Sequence, residues 1–337
     1  MMNSVQMISR FNLKRFSYSY LHMRWYHPLN FRDLDAKYSI CKVSSKTVIP
    51  SRNFSLPEFY VSLSQSAPVQ SFQNLLLDLH QSTGLPWWGL IMMTTLGIRS
   101  AIVFPLAVHQ NQVIARLANI NDEIGKLVPE LNKEVNIAKV MYKWDEAHAK
   151  KVFKRQLRSI HNKFVIRDNC HPFKTVLLSL FQVPLWIVFS ISLRNLTFMS
   201  QSSNSVPDSL AALKYEGLLW FPDLTSPDVF IIPVLLLFVN LTLTEVHALR
   251  NIGKGSKLQK FLLNTSRGII VVVAAVATIN PSSVSFYWLC SSAFGLGQNL
   301  LLMAPKVRRI LRIPKTPKGS QTPFSDIATN LKKRFYK

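Results

Sequence analysis

The sequence predicts an all-α membrane protein with five transmembrane helices, an extramembrane helical hairpin and a hydrophilic groove between the spans. The 337 residues are 48% hydrophobic, with a mean hydropathy of +0.14, yet they carry a net charge of +23. The charges are concentrated in blocks that alternate with nearly charge-free apolar segments. This alternation excludes an ordinary soluble globular domain and is typical of a polytopic helical membrane protein.

Residues 1–52 are predicted to be a mitochondrial transit peptide. They contain 9 basic and 2 acidic residues, and no acidic residue precedes Asp33. A basic, serine-containing and acid-poor composition is typical of transit peptides, whereas a secretory signal needs an unbroken apolar run. Here Arg10, Lys14 and Arg15 interrupt such a run. The alternative is a basic arm that stays in the mature protein and binds lipid or nucleic acid.

Residues 53–85 are predicted to lie in the intermembrane space. Four apolar residues recur at spacings of 3, 4 and 3 residues: Val69, Phe72, Leu76 and Leu79. This spacing places them on one face of a helix. We expect this helix to lie on the outer leaflet as an interfacial amphipathic helix.

The five spans are predicted from apolar segments of about 20 residues, the length that crosses the roughly 30 Å hydrocarbon core as a helix. They are expected at about residues 86–108, 173–199, 227–246, 262–280 and 284–303, within a core of residues 86–304. Three spans contain an internal proline: Pro105, Pro184 and Pro233. Helices in lipid tolerate such prolines, because neighbouring groups satisfy the freed backbone carbonyls.

The loops predict how the spans are oriented. Residues 109–174, 245–267 and 304–337 hold 13, 5 and 10 basic residues, whereas residues 201–228 hold 1. The positive-inside rule therefore places the three basic segments in the matrix. The mature amino terminus is then expected in the intermembrane space and the carboxyl terminus in the matrix.

Two of the matrix segments have a predicted structure of their own. Residues 109–172 are expected to form a helical hairpin that Pro129 interrupts, because apolar residues recur there at helical spacing. The pattern leaves open whether the surface of this hairpin is only solvated or binds a partner. Residues 305–337 are expected to form a short basic tail whose prolines break any long helix.

Arg99 lies inside the first predicted span, about ten residues or 14 Å from the matrix end and therefore near the midplane. A central arginine costs about 2.5 to 3.5 kcal/mol on a translocon scale, so its presence calls for a partner or a hydrated cavity. A salt bridge and snorkelling are the structural alternatives. The only acidic residue near a span is Glu245, and the depth is too great for one side chain to reach the surface. We interpret Arg99 as a positive charge in a water-filled groove.

Four other polar residues within or beside the spans are predicted to line this groove with Arg99: Thr95, Gln182, Asn240 and Gln298. Each of them alone is more commonly a contact between helices than a functional group. No catalytic constellation accompanies them, and the three cysteines are too far apart in sequence for a zinc or redox motif. The sequence therefore predicts a protein that is not an enzyme and that has no cofactor and no metal site.

Five short motifs occur in order along the chain. They are Ile98, Arg99 with Phe104, Pro105, Leu106; Pro129, Glu130; Phe181, Gln182, Val183, Pro184; Trp220, Phe221, Asp223, Leu224 with Asp228, Ile232, Pro233; and Tyr287, Trp288 with Gln298. Together they resemble the YidC/Oxa/Alb family of membrane protein insertases, over about residues 70–305. The transit peptide and the short tail are similar to the mitochondrial branch that assembles cytochrome c oxidase.

The resemblance implies a function and partners. A groove open to the matrix and to lipid receives a hydrophilic segment, which is exported while its neighbouring helix enters the bilayer of the mitochondrial inner membrane. The implied client is the carboxyl-terminal tail of cytochrome c oxidase subunit 2, with oxidase assembly factors as further partners. The short tail makes stable ribosome binding unexpected.

Two other kinds of protein remain as alternatives. The first is a scaffold that holds oxidase subunits without translocating them, although a scaffold has no need for Arg99. The second is a small-molecule carrier, for which the sequence lacks internal repeats and a carboxylate at the membrane midplane.

Overall fold

The computed structural model describes residues 56–202, 207–250, 257–316 and 322–335. The predicted transit peptide, residues 1–52, lies outside the described residues. Within them the chain is helical, apart from turns and one isolated β-bridge between Leu218 and Phe221. The predicted all-α class is therefore confirmed.

The described α-helices are α1 (Leu56–Ser64), α2 (Ala67–Thr83), α3 (Trp87–Ile98), α4 (Phe104–Met141), α5 (Glu146–Arg167), α6 (Leu177–Ser202), α7 (Asp208–Ala211), α8 (Ile231–Arg250), α9 (Lys257–Ala277), α10 (Ser282–Met303), α11 (Pro305–Ile310) and α12 (Pro323–Phe335). A π-helical turn, Arg99–Val103, joins α3 to α4. Two 3₁₀ helices lie at Pro172–Thr175 and Ala212–Lys214.

Four helical segments among the described residues are long and apolar enough to span a membrane. They are Trp87–Met141, Pro172–Gln201, Ile231–Leu249 and Lys260–Ala277. The fifth predicted span is present as α10, a helix of 22 residues, but it is not among these four. Its serines lower its apolarity, and several of them are buried between neighbouring helices. The predicted number of five spans is therefore not confirmed.

The first span continues into the predicted hairpin without a break. Pro129 lies inside α4, so the prediction that it interrupts the helix is wrong. A proline removes one N–H and bends a helix, but apolar contacts on both sides of it can keep the helix intact. Here Ile120 and Leu131, on either side of Pro129, both belong to apolar clusters between α4 and α5. The chain turns back only after Met141, and the Asp145 carboxylate caps α5.

The amphipathic helix before the first span, α2, packs on protein. Val69 and Leu76 are fully buried, and Phe72 and Leu79 lie against the main apolar core. The Ser192 hydroxyl on α6 donates a hydrogen bond to the Val69 carbonyl, at 3.1 Å. The apolar face that was expected to lie on lipid is thus covered by α6 and the core, because neighbouring spans offer it an apolar surface.

The loop between α6 and α8 holds the predicted outer ends of α3 and α10. Glu216 accepts hydrogen bonds at one carboxylate oxygen from the Trp87 backbone N–H, at 2.9 Å, and pairs with His80 Nε2, at 3.0 Å. The Ser282 and Ser283 backbone N–H groups donate to carbonyls of the same loop. These contacts adjoin the buried core around Trp87. We call residues 207–230, together with the amino-terminal turns of α3 and α10, the outer seal.

The described part of the carboxyl-terminal tail contains two short helices, as its prolines predicted. Pro305 and Pro323 lie in the first turns of α11 and α12, where a proline costs no hydrogen bond because the first N–H groups of a helix have no partner within it. Helix α12 packs against α8, and the Asn330 side chain donates to the Leu249 carbonyl at 3.2 Å. The prolines therefore divide the tail into short helices.

Candidate functional site

A small pocket lies between α3, the π-helical turn, α6 and α10. Its polar lining consists of Thr95, Arg99, Gln182, Tyr287 and Ser291. The remaining lining residues are apolar and aromatic: Ile98, Val103, Leu185, Trp186 and Phe189. A charged group surrounded by such walls is only weakly screened by solvent, so its field on anything that enters the pocket is strong.

Arg99 is the charged group of this pocket. Its Nε donates a hydrogen bond to the Ser291 hydroxyl at 3.1 Å, and its Nη2 donates to the same oxygen. Gly295, one turn further along α10, also lies beside the guanidinium: a Cβ atom at this position would be in ordinary van der Waals contact with Nη1, at 3.5 Å. Among the described residues, no ion pair joins Arg99 to a carboxylate. The cation is thus positioned by a neutral partner and keeps its net charge.

The backbone around Arg99 departs from α-helical geometry for a reason visible in the sequence. Pro105 has no N–H to donate, and its ring crowds the carbonyl four residues earlier. The chain accommodates this with the π-helical turn Arg99–Val103, in which the Phe104 N–H donates to the Arg99 carbonyl. Such turns are frequent at functional sites in long helices. The turn begins at Arg99 itself, and so it sets where the arginine projects from the span.

Aromatic contacts hold α6 against α10 beside the pocket. The rings of Trp186 and Trp288 stack with their centroids 5.2 Å apart, and the Trp288 indole N–H donates to the Ser190 hydroxyl at 2.9 Å. Phe189 packs on Tyr287 with centroids 4.1 Å apart. These contacts fix the distance between two walls of the pocket, and the outer seal lies beyond them.

The pocket is too small to hold a peptide in this structure. The space enclosed between its side chains is enough for about one water molecule. A larger group can therefore lie beside Arg99 only if the walls of the pocket move apart. The predicted groove is constricted here to a pocket.

The structure brings three of the five predicted groove residues together. Arg99, Thr95 and Gln182 line the pocket. The Thr95 hydroxyl donates to the Ile91 carbonyl of its own helix at 2.6 Å. Gln182 contributes its side-chain amide to the lining.

The other two predicted residues lie outside the pocket. Asn240 donates to the Leu236 carbonyl and to the Ser292 hydroxyl, at 3.1 Å, and so it joins α8 to α10. Gln298 lies on α10 seven residues after Ser291, which places it on the same face about two turns away. Its buried Oε1 has no hydrogen-bond partner within the described residues. Gln298 is therefore positioned to continue a polar path from the pocket, whereas Asn240 is a contact between helices.

Sequence reasoning missed Ser291, the residue that holds Arg99. Tyr287, Ser291, Gly295 and Gln298 recur at spacings of 4, 4 and 3 residues, which places a polar and small-residue face on the last span. This periodicity was available in the sequence. A serine in a span is usually bonded to its own helix, however, so the pattern alone does not single it out.

The pocket combines one cation with neutral groups that form hydrogen bonds. Its lining contains a cation, two hydroxyl groups, a phenol and an amide. Among the described residues, no three His, Cys, Asp or Glu side chains are arranged to hold a metal ion. The fold and the site together define a polytopic helical membrane protein with a cationic pocket between its spans.

Comparison with known proteins identifies the family. A model of the family described as 60Kd inner membrane protein matches residues 78–309. Over 280 residues the chain is 39% identical to the cytochrome c oxidase assembly protein COX18, mitochondrial, of Homo sapiens, which covers 82% of this chain and 83% of that protein. The corresponding protein of Mus musculus is 39% identical over 273 residues, 80% of this chain and 81% of the relative.

A more distant relative is the mitochondrial inner membrane protein OXA1L of Mus musculus, 30% identical over 256 residues, 76% of this chain and 54% of that protein. The chain belongs to the 60Kd inner membrane protein family. The resemblance to the YidC/Oxa/Alb insertases is thereby confirmed.

Proposed function

We propose that this protein is an insertase of the mitochondrial inner membrane that moves hydrophilic segments of membrane proteins out of the matrix. The observation that carries the proposal is Arg99, which lies in a pocket between α3, α6 and α10 and is held by the neutral Ser291 hydroxyl. A cation at this depth is costly, and an ion pair that only joined two helices would have a carboxylate partner. Arg99 is instead available to a charged group from outside the protein.

The chemistry of the pocket favours an acidic segment as its substrate. Two opposite charges 4 Å apart attract by about 4 kcal/mol at an effective dielectric constant of 20. The Gln182 amide can donate to the same segment and so replace part of its hydration. The polar segment is thereby stabilised part of the way across, while its neighbouring apolar helix enters lipid beside the spans.

The membrane potential supplies a driving force without nucleotide hydrolysis. With the matrix negative, outward movement of one carboxylate is favoured by about 2.3 kcal/mol per 100 mV. Two or three carboxylates in one segment therefore offset much of the cost of removing it from water. The proposal requires the basic hairpin and tail to lie in the matrix and the outer seal to lie in the intermembrane space, the orientation that the positive-inside rule predicts.

The relatives suggest the client. Two of them are named as cytochrome c oxidase assembly proteins. We propose that the exported segment is the carboxyl-terminal tail of cytochrome c oxidase subunit 2, and that this step supports assembly of the oxidase.

The test is a protease-protection assay in mitoplasts that lack the protein and express it again as wild type, Arg99→Ala, Arg99→Lys or Arg194→Gln. Arg194 is the matched control, because it also lies in a span but bonds Asn280 at 3.2 Å, outside the pocket. We expect wild type, Arg99→Lys and the control to expose the subunit 2 tail, and Arg99→Ala to leave it protected. Equal exposure without any copy of the protein would contradict the client assignment and favour a passive scaffold.

A further inference from the structure

The last helix of the chain, α12, carries charged and apolar groups that the rest of the described protein does not cover. Lys332 and Lys333 are exposed and form no ion pair within the described residues. Phe324 is 49% exposed and Leu331 is 42% exposed, although both are large apolar side chains. Exposure of two large apolar side chains to water is unfavourable, so this surface of the helix favours a partner that is both apolar and anionic.

The position of α12 is fixed by its contact with a membrane span. The Asn330 amide donates to the carbonyl of Leu249, at 3.2 Å. Leu249 is the last residue of the candidate span Ile231–Leu249. The last carbonyls of a helix have no partner within it, so Asn330 satisfies a group that is otherwise unpaired. Helix α12 is therefore held at the level where this span ends.

The apolar groups of α12 lie to one side of that contact. At 100° per residue, Phe324 and Leu331 lie within about 20° of each other on the helix, because seven residues make almost two turns. Asn330 lies about 100° from Leu331 on the same projection, so the side that meets α8 and the apolar side differ by roughly a quarter turn. Packing on α8 thus leaves the apolar side uncovered.

We propose that α12 is an interfacial helix that binds the anionic phosphate headgroups of the leaflet surrounding the carboxyl-terminal end of α8. Amphipathic helices of this kind bury Phe and Leu at the boundary of headgroups and acyl chains, and place their lysines among the phosphates. The carboxyl-terminal residues of the chain add Arg334 and Lys337 to the basic content of this segment. A tail that binds single-stranded RNA would use the lysines and would stack a base on Phe324, but it would have no use for exposed Leu331.

This proposal rests on the membrane location of the protein, and it is independent of what the protein exports. The test uses full-length protein in vesicles of phosphatidylcholine alone, or with about 20% cardiolipin as the anionic lipid. Amide hydrogen exchange of residues 322–335 is followed by mass spectrometry. We expect exchange in the cardiolipin vesicles to be slower by about 30-fold, since each lysine near an anionic surface contributes about a fivefold gain.

Two variants separate the charged and the apolar contributions. The double substitution Lys332→Gln with Lys333→Gln is expected to abolish the difference between the two kinds of vesicle. Substitution of Phe324 and Leu331 by Ser is expected to reduce protection in both. The matched control is Lys150→Gln with Lys151→Gln, which removes the same charge from the exposed surface of α5 and is expected to leave α12 unchanged.

Other outcomes overturn the proposal. Equal exchange of wild-type α12 in both kinds of vesicle would show that anionic lipid is not its partner. Protection that appears only when polyuridylate RNA is added, and is lost in the lysine variant, would identify RNA as the partner. Loss of client export with unchanged lipid protection would count against the insertase function alone, so the two proposals fail separately.

Discussion

Replacement of Ser291 by Ala tests whether this residue positions Arg99 for its substrate. The substitution removes the oxygen that accepts from Arg99 Nε at 3.1 Å and from Nη2, and it changes little else in volume. A hydrogen bond to a charged group contributes about 1.5 to 3 kcal/mol. A loss of this size lowers the equilibrium constant for the guanidinium orientation seen here by about 10- to 150-fold. We expect export of an acidic segment to slow by at least about tenfold.

The assay uses proteoliposomes with a membrane potential and a client made in two forms. One form has its natural acidic tail, and the other has Asn and Gln in place of Asp and Glu. Ser291→Ala should slow export of the acidic form and leave the neutral form unchanged, because only the acidic form uses the Arg99 charge. Ser291→Thr retains the hydroxyl and should restore export. Ser292→Ala is the matched control, since that neighbouring hydroxyl accepts from Asn240 outside the pocket.

Two results would refute this reasoning. Normal export of the acidic client by Ser291→Ala would mean that Arg99 finds its orientation without the hydroxyl. Equal slowing of both client forms would mean that Ser291 acts through the packing of α10, and that its contact with Arg99 is incidental to transport.

Three further predictions concern the parts of the fold that support the pocket. Glu216→Ala removes the acceptor of the Trp87 N–H and the partner of His80, so we expect faster proteolysis of the outer loop. Glu216→Gln keeps an acceptor and should have a smaller effect. Burial opposes ionisation of Asp228, but hydrogen bonds from three backbone N–H groups at the start of α8 and from an indole N–H outweigh it and lower the pKa of this carboxyl. The ionised carboxylate therefore stabilises the fold above the unfolded pKa of about 3.9, and this stabilisation is lost as the pH falls through the lower folded pKa. In thermal unfolding, Asp228→Ala should be less stable than wild type near neutral pH and should lose less stability on acidification. Burial raises the pKa of the Cys170 thiol between α4 and α5, so maleimide labelling of this residue, read by peptide mass spectrometry, should be slow in the folded protein and fast in denaturant.

Much of the fold could be predicted from hydropathy and charge because those patterns report the environment of each residue directly. The apolar segments locate the helices that cross the bilayer, and Arg99 stands out because lipid makes a charge expensive. The last span was harder to classify by composition, since α10 is enclosed by other helices and its serines face protein. The course of α4 through Pro129 also needed tertiary contacts, which a local rule about proline does not contain.

The pocket could be predicted only in part, because its residues come together through contacts between distant helices. Arg99 and Thr95 share a helix, and their proximity follows from a spacing of four residues. Ser291 lies 192 residues from Arg99, and only the packing of α3 against α10 brings them together. Asn240 was predicted to line the groove only because it is a polar residue within a span. Depth in the membrane does not determine which face of a helix a residue occupies, and Asn240 instead bonds Ser292.

The closed pocket and the outer seal together constrain how an insertase built in this way must work. The pocket beside Arg99 has space for about one water molecule, so a substrate segment needs this pocket to widen. The aromatic contacts between α6 and α10 must loosen, while Glu216 and the loop around it keep the outer end closed. In the proposed mechanism the pocket opens at one end only, so that an acidic segment exchanges water for Arg99 while the other end stays closed to ions. The pair of Trp186 and Trp288 is therefore where a change in distance between helices should accompany substrate binding, and a disulfide between cysteines placed on α6 and α10 should block export until it is reduced.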